Sequence, residues 1–180
     1  ITRQGEAFAV RAKGRQQDLA MLDLRVEAGR LIIGRKGAAG AAQDDVDIEI
    51  IVPTLHAVTL RGAGDMDVEA LAGDVISAEL VGAGALKIKR LTGTLAKLSL
   101  LGAGDLDVDR GEIDKGEYRQ TGVGDLDVEK LIANDVTVTS SGAGSVKGHA
   151  SRTAKVTLLG AGDVEIKGGA TCQISKQGVG

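Results

Sequence analysis

The chain has 180 residues, with 22 Lys and Arg against 25 Asp and Glu and a formal net charge of -3. That length fits one domain or one repeat array with a cap, and the charge gives no basic field for nucleic acid. Aromatics are 1% (Phe8 and Tyr118, with no Trp), which excludes an aromatic stacking surface for bases or sugars; the apolar content is Val, Leu, Ile and Ala.

From the N-terminal side, AFAVRA and then Leu19–Arg35 (LAMLDLRVEAGRLIIGR) alternate as strands do, with Glu27-Ala28-Gly29-Arg30 as a hairpin turn. A polar stretch rich in Gly and Ala, Gly34 to Asp45, predicts a mobile loop. DVDIEIIVP reads as a further strand ending at Pro53. Residues 1–57 are expected to form atypical first coils that cap a strand edge of the array occupying 58–180.

From Gly62 the chain acquires a beat. Gly-x-Gly triplets start at Gly62, Gly82, Gly102, Gly122 and Gly142, twenty residues apart, then at Gly160 and Gly178, eighteen apart. A fixed period in this range marks a solenoid. Alternating β-branched residues flank each triplet, so the flanks read as strands and the glycines (Gly62, Gly64, Gly82, Gly84, Gly102, Gly104, Gly122, Gly124, Gly142, Gly144, Gly160, Gly162) as tight corners. The predicted fold is all-β: a single-stranded right-handed parallel β-helix with coils of about twenty residues and an atypical N-terminal β cap.

The columns set the core. Met66, Leu86, Leu106, Leu126, Val146 and Val164 align, as do Val68, Ile88, Val108, Val128, Gly148 and Ile166. Before the triplet come Leu60, Leu80, Leu100 and Leu158, with Gln120 and Ser140 as polar exceptions. These columns point inward and the polar ones between them outward. The residues between the glycines (Ala63, Ala83, Ala103, Val123, Ala143, Ala161) are small, as a crowded inner corner requires. Cys172 falls at an inward position, which predicts a buried thiol; being alone it makes no internal disulfide. The seventh triplet, at Gly178, predicts an uncapped last coil available for association with another copy.

The order LDLRVEAGRLIIG, a loop, then VDIEIIVPTLHAVTLRGAGD, followed by repeated GAGDxDV units, resembles the bacterial head GIN domain family of autotransporter adhesins. IIVPTLHAVTLRGAGD, Ile50 to Asp65, carries the resemblance most specifically. It implies a β-helix-like fold in an exported, envelope-associated protein, and supplies no catalytic residues. The lost Asp at Ala85 and Ser145 departs from a uniform ligand column.

One cluster invites chemistry. Asp65, Asp105, Asp125 and Asp163 share a column, and Asp67, Asp107, Asp127 and Glu165 share the next outward one. In the third and fourth coils Asp105, Asp107, Asp125 and Asp127 stand as two adjacent pairs, a candidate Ca²⁺ site because four carboxylates can share a hard cation. The competing expectation is that each Asp bonds free N–H groups of the glycine corner. One GxGD per twenty residues does not match the nine-residue period of Ca²⁺-binding β-rolls. Outward, Glu69, Lys89, Asp109, Glu129, His149 and Lys167 mix signs, as cross-strand pairs on a solvated face do.

His56 and His149 stand about five coils, ~24 Å, apart and cannot form a pair. With no helix after any triplet, phosphate-loop chemistry is excluded. No stretch approaches the ~20 apolar residues of a membrane span, and no cofactor is expected. The reading is a non-enzymatic module, exported to the periplasm, outer membrane or cell surface, that binds a protein or glycan. The alternatives are a self-assembling scaffold through the terminal coil and a polysaccharide-active β-helix enzyme; the latter normally carries long loops over a groove.

Overall fold

The computed structural model describes residues 1–5, 7–36 and 46–178. Strands β1 (Thr2–Gln4) and β2 (Ala9–Lys13) come first, then a short helix α1 (Gln16–Ala20). That helix corrects the strand expected from Leu19. Five residues are too few to leave a helical period in the sequence. Strands β3 (Leu22–Glu27) and β4 (Arg30–Arg35) form a separate antiparallel hairpin in which Glu27 pairs with Arg30. Its turn is Ala28-Gly29, both at positive φ (48° and 75°), the geometry of a two-residue hairpin loop. Gly34 and Arg35 belong to β4, and most of the loop expected after them lies outside the described residues.

Strand β5 (Asp47–Val52) runs parallel to β1 and antiparallel to β2. The array follows: β6 (Ala57–Gly62), β7 (Asp65–Val68), β8 (Leu71–Gly82), β9 (Ala85–Ile88), β10 (Leu91–Gly102), β11 (Asp105–Val108), β12 (Gly111–Gly122). It ends with β13 (Asp125–Gly142), β14 (Ser145–Gly160), β15 (Asp163–Lys167) and β16 (Thr171–Gln177). Every pairing among these is parallel, giving a β-solenoid of about six turns. β1 adds a rung beyond the array, inserted between β5 and β7 and parallel to both.

Register follows the twenty-residue period, with Leu80 beside Leu100 and Gly82 beside Gly102. The long strands bend where pairing passes over Asp74, Thr94, Asp114 and Asn134; there Asn134 Nδ2 donates to Asp114 Oδ1 at 3.2 Å. The shortening to eighteen residues is localised too. Asp127 pairs with Lys147, but Ile132 pairs with His149 and Asp135 with Thr153, so the fifth coil drops residues at the corner after Gly148. By Gly142 beside Gly160 the triplets are aligned again.

The core is the one the columns define. Leu86, Leu106, Leu126, Val68, Ile88, Val128, Leu80 and Leu100 are buried, with Ile76, Ala96, Leu98 and Val138 forming further rows. The polar exceptions stay inside. Gln120 and Ser140 are buried, Ser140 Oγ donates to Gln120 Oε1 at 2.8 Å, and Gln120 Nε2 donates to the carbonyls of Gly122 and Gly124. Each hydrogen-bonding group of the Gln120 amide thus finds a partner, which lets it replace a leucine without leaving an unpaired buried group.

Tyr118 is buried as well, in the row of Leu98 and Val138. Its ring takes space vacated by Gly116 and Gly148. A Cβ at Gly116 would sit 2.5 Å from Tyr118 Cζ, and one at Gly148 3.6 Å from Cε2.

Two expectations are corrected. Ala63, Ala83, Ala103, Val123, Ala143 and Ala161 do not face an inner corner but are exposed, Val123 to 63%. The crowding lies between glycine backbones of successive coils: a Cβ on Gly84, Gly104, Gly124 or Gly144 would collide with the carbonyl oxygen of the triplet before it. Cys172 keeps its inward register beside Ala154, yet its thiol is exposed, because no further coil stacks on β16 among the described residues.

Candidate functional site

The corner that follows each triplet positions the acidic columns. The chain leaves the second glycine into β7, β9, β11, β13, β14 and β15, whose side chains alternate in and out. Leu106 and Leu126 therefore go inward, leaving Asp105, Asp107, Asp125 and Asp127 on the outer side. Asp105 pairs in register with Asp125, and Asp107 with Asp127. The sequence juxtaposition is thus met rung for rung. With Ser145 and Lys147 these four line a shallow open depression of ≈ 250 Å³.

Carboxylates one rung apart repel, by about 1 kcal/mol at 4 Å in water. Asp107 carries the effect most clearly: partial burial, then the charges of Asp127 and Asp105, push its carboxyl above the usual 3.8, with Lys87 opposing. A carboxyl whose folded-state pKa is raised lowers stability above that pKa, and the penalty vanishes below the unfolded value. Asp107→Asn is therefore expected to raise stability at pH 7 by less than about 1 kcal/mol, the scale of exposed charge pairs. The gain should shrink to nothing as pH falls below 3.8. Urea midpoints of variant and wild type at pH 7 and pH 3 check this; a gain that grows on acidification would refute it.

The first acidic column has a backbone role, but across coils rather than within its own corner. Asp65 Oδ1 accepts from the Ala85 N–H at 3.1 Å. Asp125 Oδ1 accepts from the Ser145 N–H at 3.1 Å and from Ser145 Oγ at 2.7 Å. Both partners are the positions where the next coil lacks its Asp, so the absent carboxylate leaves room for the one below to reach across.

The four carboxylates read as a Ca²⁺ candidate run side by side along parallel strands rather than around a centre. Among the described residues no group of three or more His, Cys, Asp or Glu is arranged to hold a metal ion. The outward mixed-sign column pairs both along itself and with its neighbour. Lys167 Nζ reaches Glu129 at 2.8 Å past His149, and Lys87 reaches Asp109 at 3.4 Å from the neighbouring column. His56 is exposed with Nδ1 hydrogen-bonded to the Ala72 carbonyl, and His149 lies at the shortened coil, so the two histidines remain apart.

The sequence reading missed the ion pair that secures the shortened coil. Arg152 grips Asp135 through Nε and Nη2, Nε at 3.0 Å, while Thr153 Oγ1 donates to Asp135 Oδ1 at 2.6 Å. These contacts hold the Asp135 carboxyl below the usual carboxylate range. The signal was the register shift itself, which brings Arg152 beside the preceding coil.

No helix among the described residues is long and apolar enough to cross a membrane. No curated protein matches the sequence. Solved structures do. A putative adhesin from Bacteroides fragilis NCTC 9343 is 25% identical, with a TM-score of 0.93 over 99% of this chain and 84% of its own. A putative adhesin from Parabacteroides distasonis ATCC 8503 is 17% identical, with a TM-score of 0.74 over 99% and 85%. A protein from the same organism described as a putative lipid binding protein is 17% identical, with a TM-score of 0.68 over 99% and 84%. The last two show the fold alone. The family described as "Putative auto-transporter adhesin, head GIN domain" matches residues 1–170, and the chain belongs to it.

Proposed function

We propose that the chain is a non-enzymatic binding module exported to the bacterial envelope, and that its acidic ladder binds a cationic group on a protein or glycan. The observation that carries this is the paired register of Asp105 with Asp125 and Asp107 with Asp127 in an open depression. The fold does not need a carboxylate at every rung: the same positions hold Ala85 and Lys87 one coil earlier and Ser145 and Lys147 one coil later. Carboxylates kept adjacent against their repulsion, on a surface with room for a side chain or sugar ring, fit recognition of positive charge. The family description and the Bacteroides adhesin support a surface-binding role, and export to the periplasm, outer membrane or cell surface goes with it.

The test is binding of the purified chain to bacterial envelope fractions and to immobilised basic proteins and amino-sugar polymers. The wild type should bind in a salt-sensitive way. A variant carrying Asn at 105, 107, 125 and 127 should lose at least about tenfold in affinity while keeping its circular dichroism and a single cooperative melting transition. Equal binding by the two proteins would remove the ladder as the recognition surface.

A further inference from the structure

The hairpin of β3 and β4 forms a sheet of its own, and none of its side chains joins the solenoid core. Its register pairs Leu22 with Arg35, Leu24 with Ile33 and Val26 with Leu31. Between these, Asp23 pairs with Gly34, Arg25 with Ile32 and Glu27 with Arg30. Directly paired residues on antiparallel strands project to the same side. One face is therefore Leu22, Leu24, Val26, Leu31 and Ile33, with Arg35 at its open end; the other is polar except for Ile32. A lone two-stranded ribbon with such a face gains stability only when that face is covered. Yet exposure on β3 rises toward the turn, from half-buried Leu22 to 45% at Leu24 and 71% at Val26.

Charge decides what this face can meet. Residues 7–36 carry seven Lys and Arg against three Asp and Glu, in a chain whose net charge is -3. Within the hairpin, Arg25 is held between Asp23 at 3.2 Å and Glu27 at 3.1 Å, which occupies both of its acids. Arg30, Arg35 and Lys36 are exposed and form no ion pair with another described residue. Lys36 is fixed at the base of the hairpin, where its N–H donates to the Met21 carbonyl at 2.7 Å. An apolar face flanked by unpaired cations suits an anionic lipid interface, with apolar groups at the acyl boundary and cations on phosphate. A second copy fits poorly. Six residues along and two strands across give roughly 200 Å² of face, against ~800 Å² per partner in a stable protein interface. Two such faces would also bring like charges together.

We propose that this hairpin docks the chain on an anionic phospholipid surface, with Leu24 and Val26 entering the headgroup–acyl boundary and Arg30, Arg35 and Lys36 contacting lipid phosphates. The stem of Arg35, on the apolar face beside Leu22, lies along that face while its guanidinium stays at phosphate level. The acidic ladder is a separate surface of opposite charge, so this contact neither needs nor replaces it.

Cosedimentation of the 180-residue chain with vesicles tests this, using phosphatidylcholine alone and equal parts of phosphatidylcholine and phosphatidylglycerol. The chain should bind the anionic vesicles at least about tenfold more tightly, and salt should weaken that binding. Leu24→Asp with Val26→Asp should lose at least about tenfold, as should Arg30→Gln, Arg35→Gln and Lys36→Gln together. Val75→Asp, at an exposed apolar residue of the array, should lose nothing. The sequence has no Trp, so Val26→Trp reports contact while keeping an apolar side chain there. Its emission should shift to the blue on anionic vesicles, and that of Val75→Trp should not. Equal binding to both vesicles, binding kept by either hairpin variant, or an unshifted Val26→Trp would overturn the proposal. So would self-association of the free chain that Leu24→Asp with Val26→Asp abolishes, which would make a second copy the occupant.

Discussion

Gly102→Ala is expected to destabilise the protein by more than about 4 kcal/mol, a large part of the 5–15 kcal/mol that holds a typical domain together. Gly62→Ala, at the same position of the first triplet, should cost only about 1–3 kcal/mol. Both glycines have positive φ, 132° and 109°, so both substitutions carry backbone strain. They differ in what lies beneath. A Cβ at Gly62 meets nothing within 4 Å, whereas one at Gly102 collides with the Gly82 carbonyl. That carbonyl cannot swing away freely, because it accepts the Ala103 N–H at 2.9 Å and so forms part of the bond that stacks the two coils. The substitution must break the stacking bond or move the coil. Urea denaturation of the two variants separates strain from stacking; equal losses would mean that the inter-coil contact contributes nothing.

Tyr118 offers the second large effect, and one with a designed rescue. Truncation to Ala should cost about 3–5 kcal/mol, as for other buried aromatics. Tyr118→Phe should instead raise stability by about 1 kcal/mol, because the hydroxyl is buried and has no hydrogen-bond partner. Burial also pushes this phenol well above its ordinary 10.0. A raised folded-state pKa means that stability falls as pH climbs past the unfolded value, so Phe should also flatten the alkaline limb of the stability curve. Gly116→Ala alone should be severely destabilising, since its Cβ would enter the ring. With Tyr118→Leu in the same chain the pair becomes Ala-x-Leu, which is what Ala96 and Leu98 already are one coil earlier. Thermal melts of the two single variants and the double should show strong favourable coupling. Additive losses would refute the packing account.

The array was legible because its evidence is repeated. One Gly-x-Gly is ambiguous; six in register with leucine columns on either side constrain where every strand lies, and Leu80, Leu100, Leu106 and Leu126 are buried as their columns require. What repetition could not reveal was which surface of the corner is crowded. In the first six triplets the residue between the glycines is Ala except at Val123, which suggests burial, but the close approach is between the carbonyl of one glycine and the place a Cβ would take on the next. Single events left weaker traces. Tyr118 breaks its column, and its compensation is split between Gly116, two residues away, and Gly148, beyond the next two triplets. The helix at Gln16–Ala20 is one turn with no side-chain cap. Cys172 stands in its inward column beside Ala154, yet burial there depends on a neighbour above, which a column does not report. The acidic pairs were legible as neighbours. That they run alongside one another instead of converging follows from the parallel strands that carry them.

The placement of β1 has a mechanical meaning. Inserted between β5 and β7, it pairs with β5 over Thr2–Gln4 and with β7 at Thr2, where the Glu69 N–H donates to the Thr2 carbonyl at 2.9 Å. Tension entering the module along this segment would load hydrogen bonds to two strands in shear, all at once, rather than peeling a single edge bond by bond. Force drawn across the long coils would meet the same geometry on a larger scale, since β10 and β12 share register from Leu91–Gly111 to Gly102–Gly122. The solenoid is thus stiffest along its strands and weakest along its axis, an anisotropy suited to bearing load from the side.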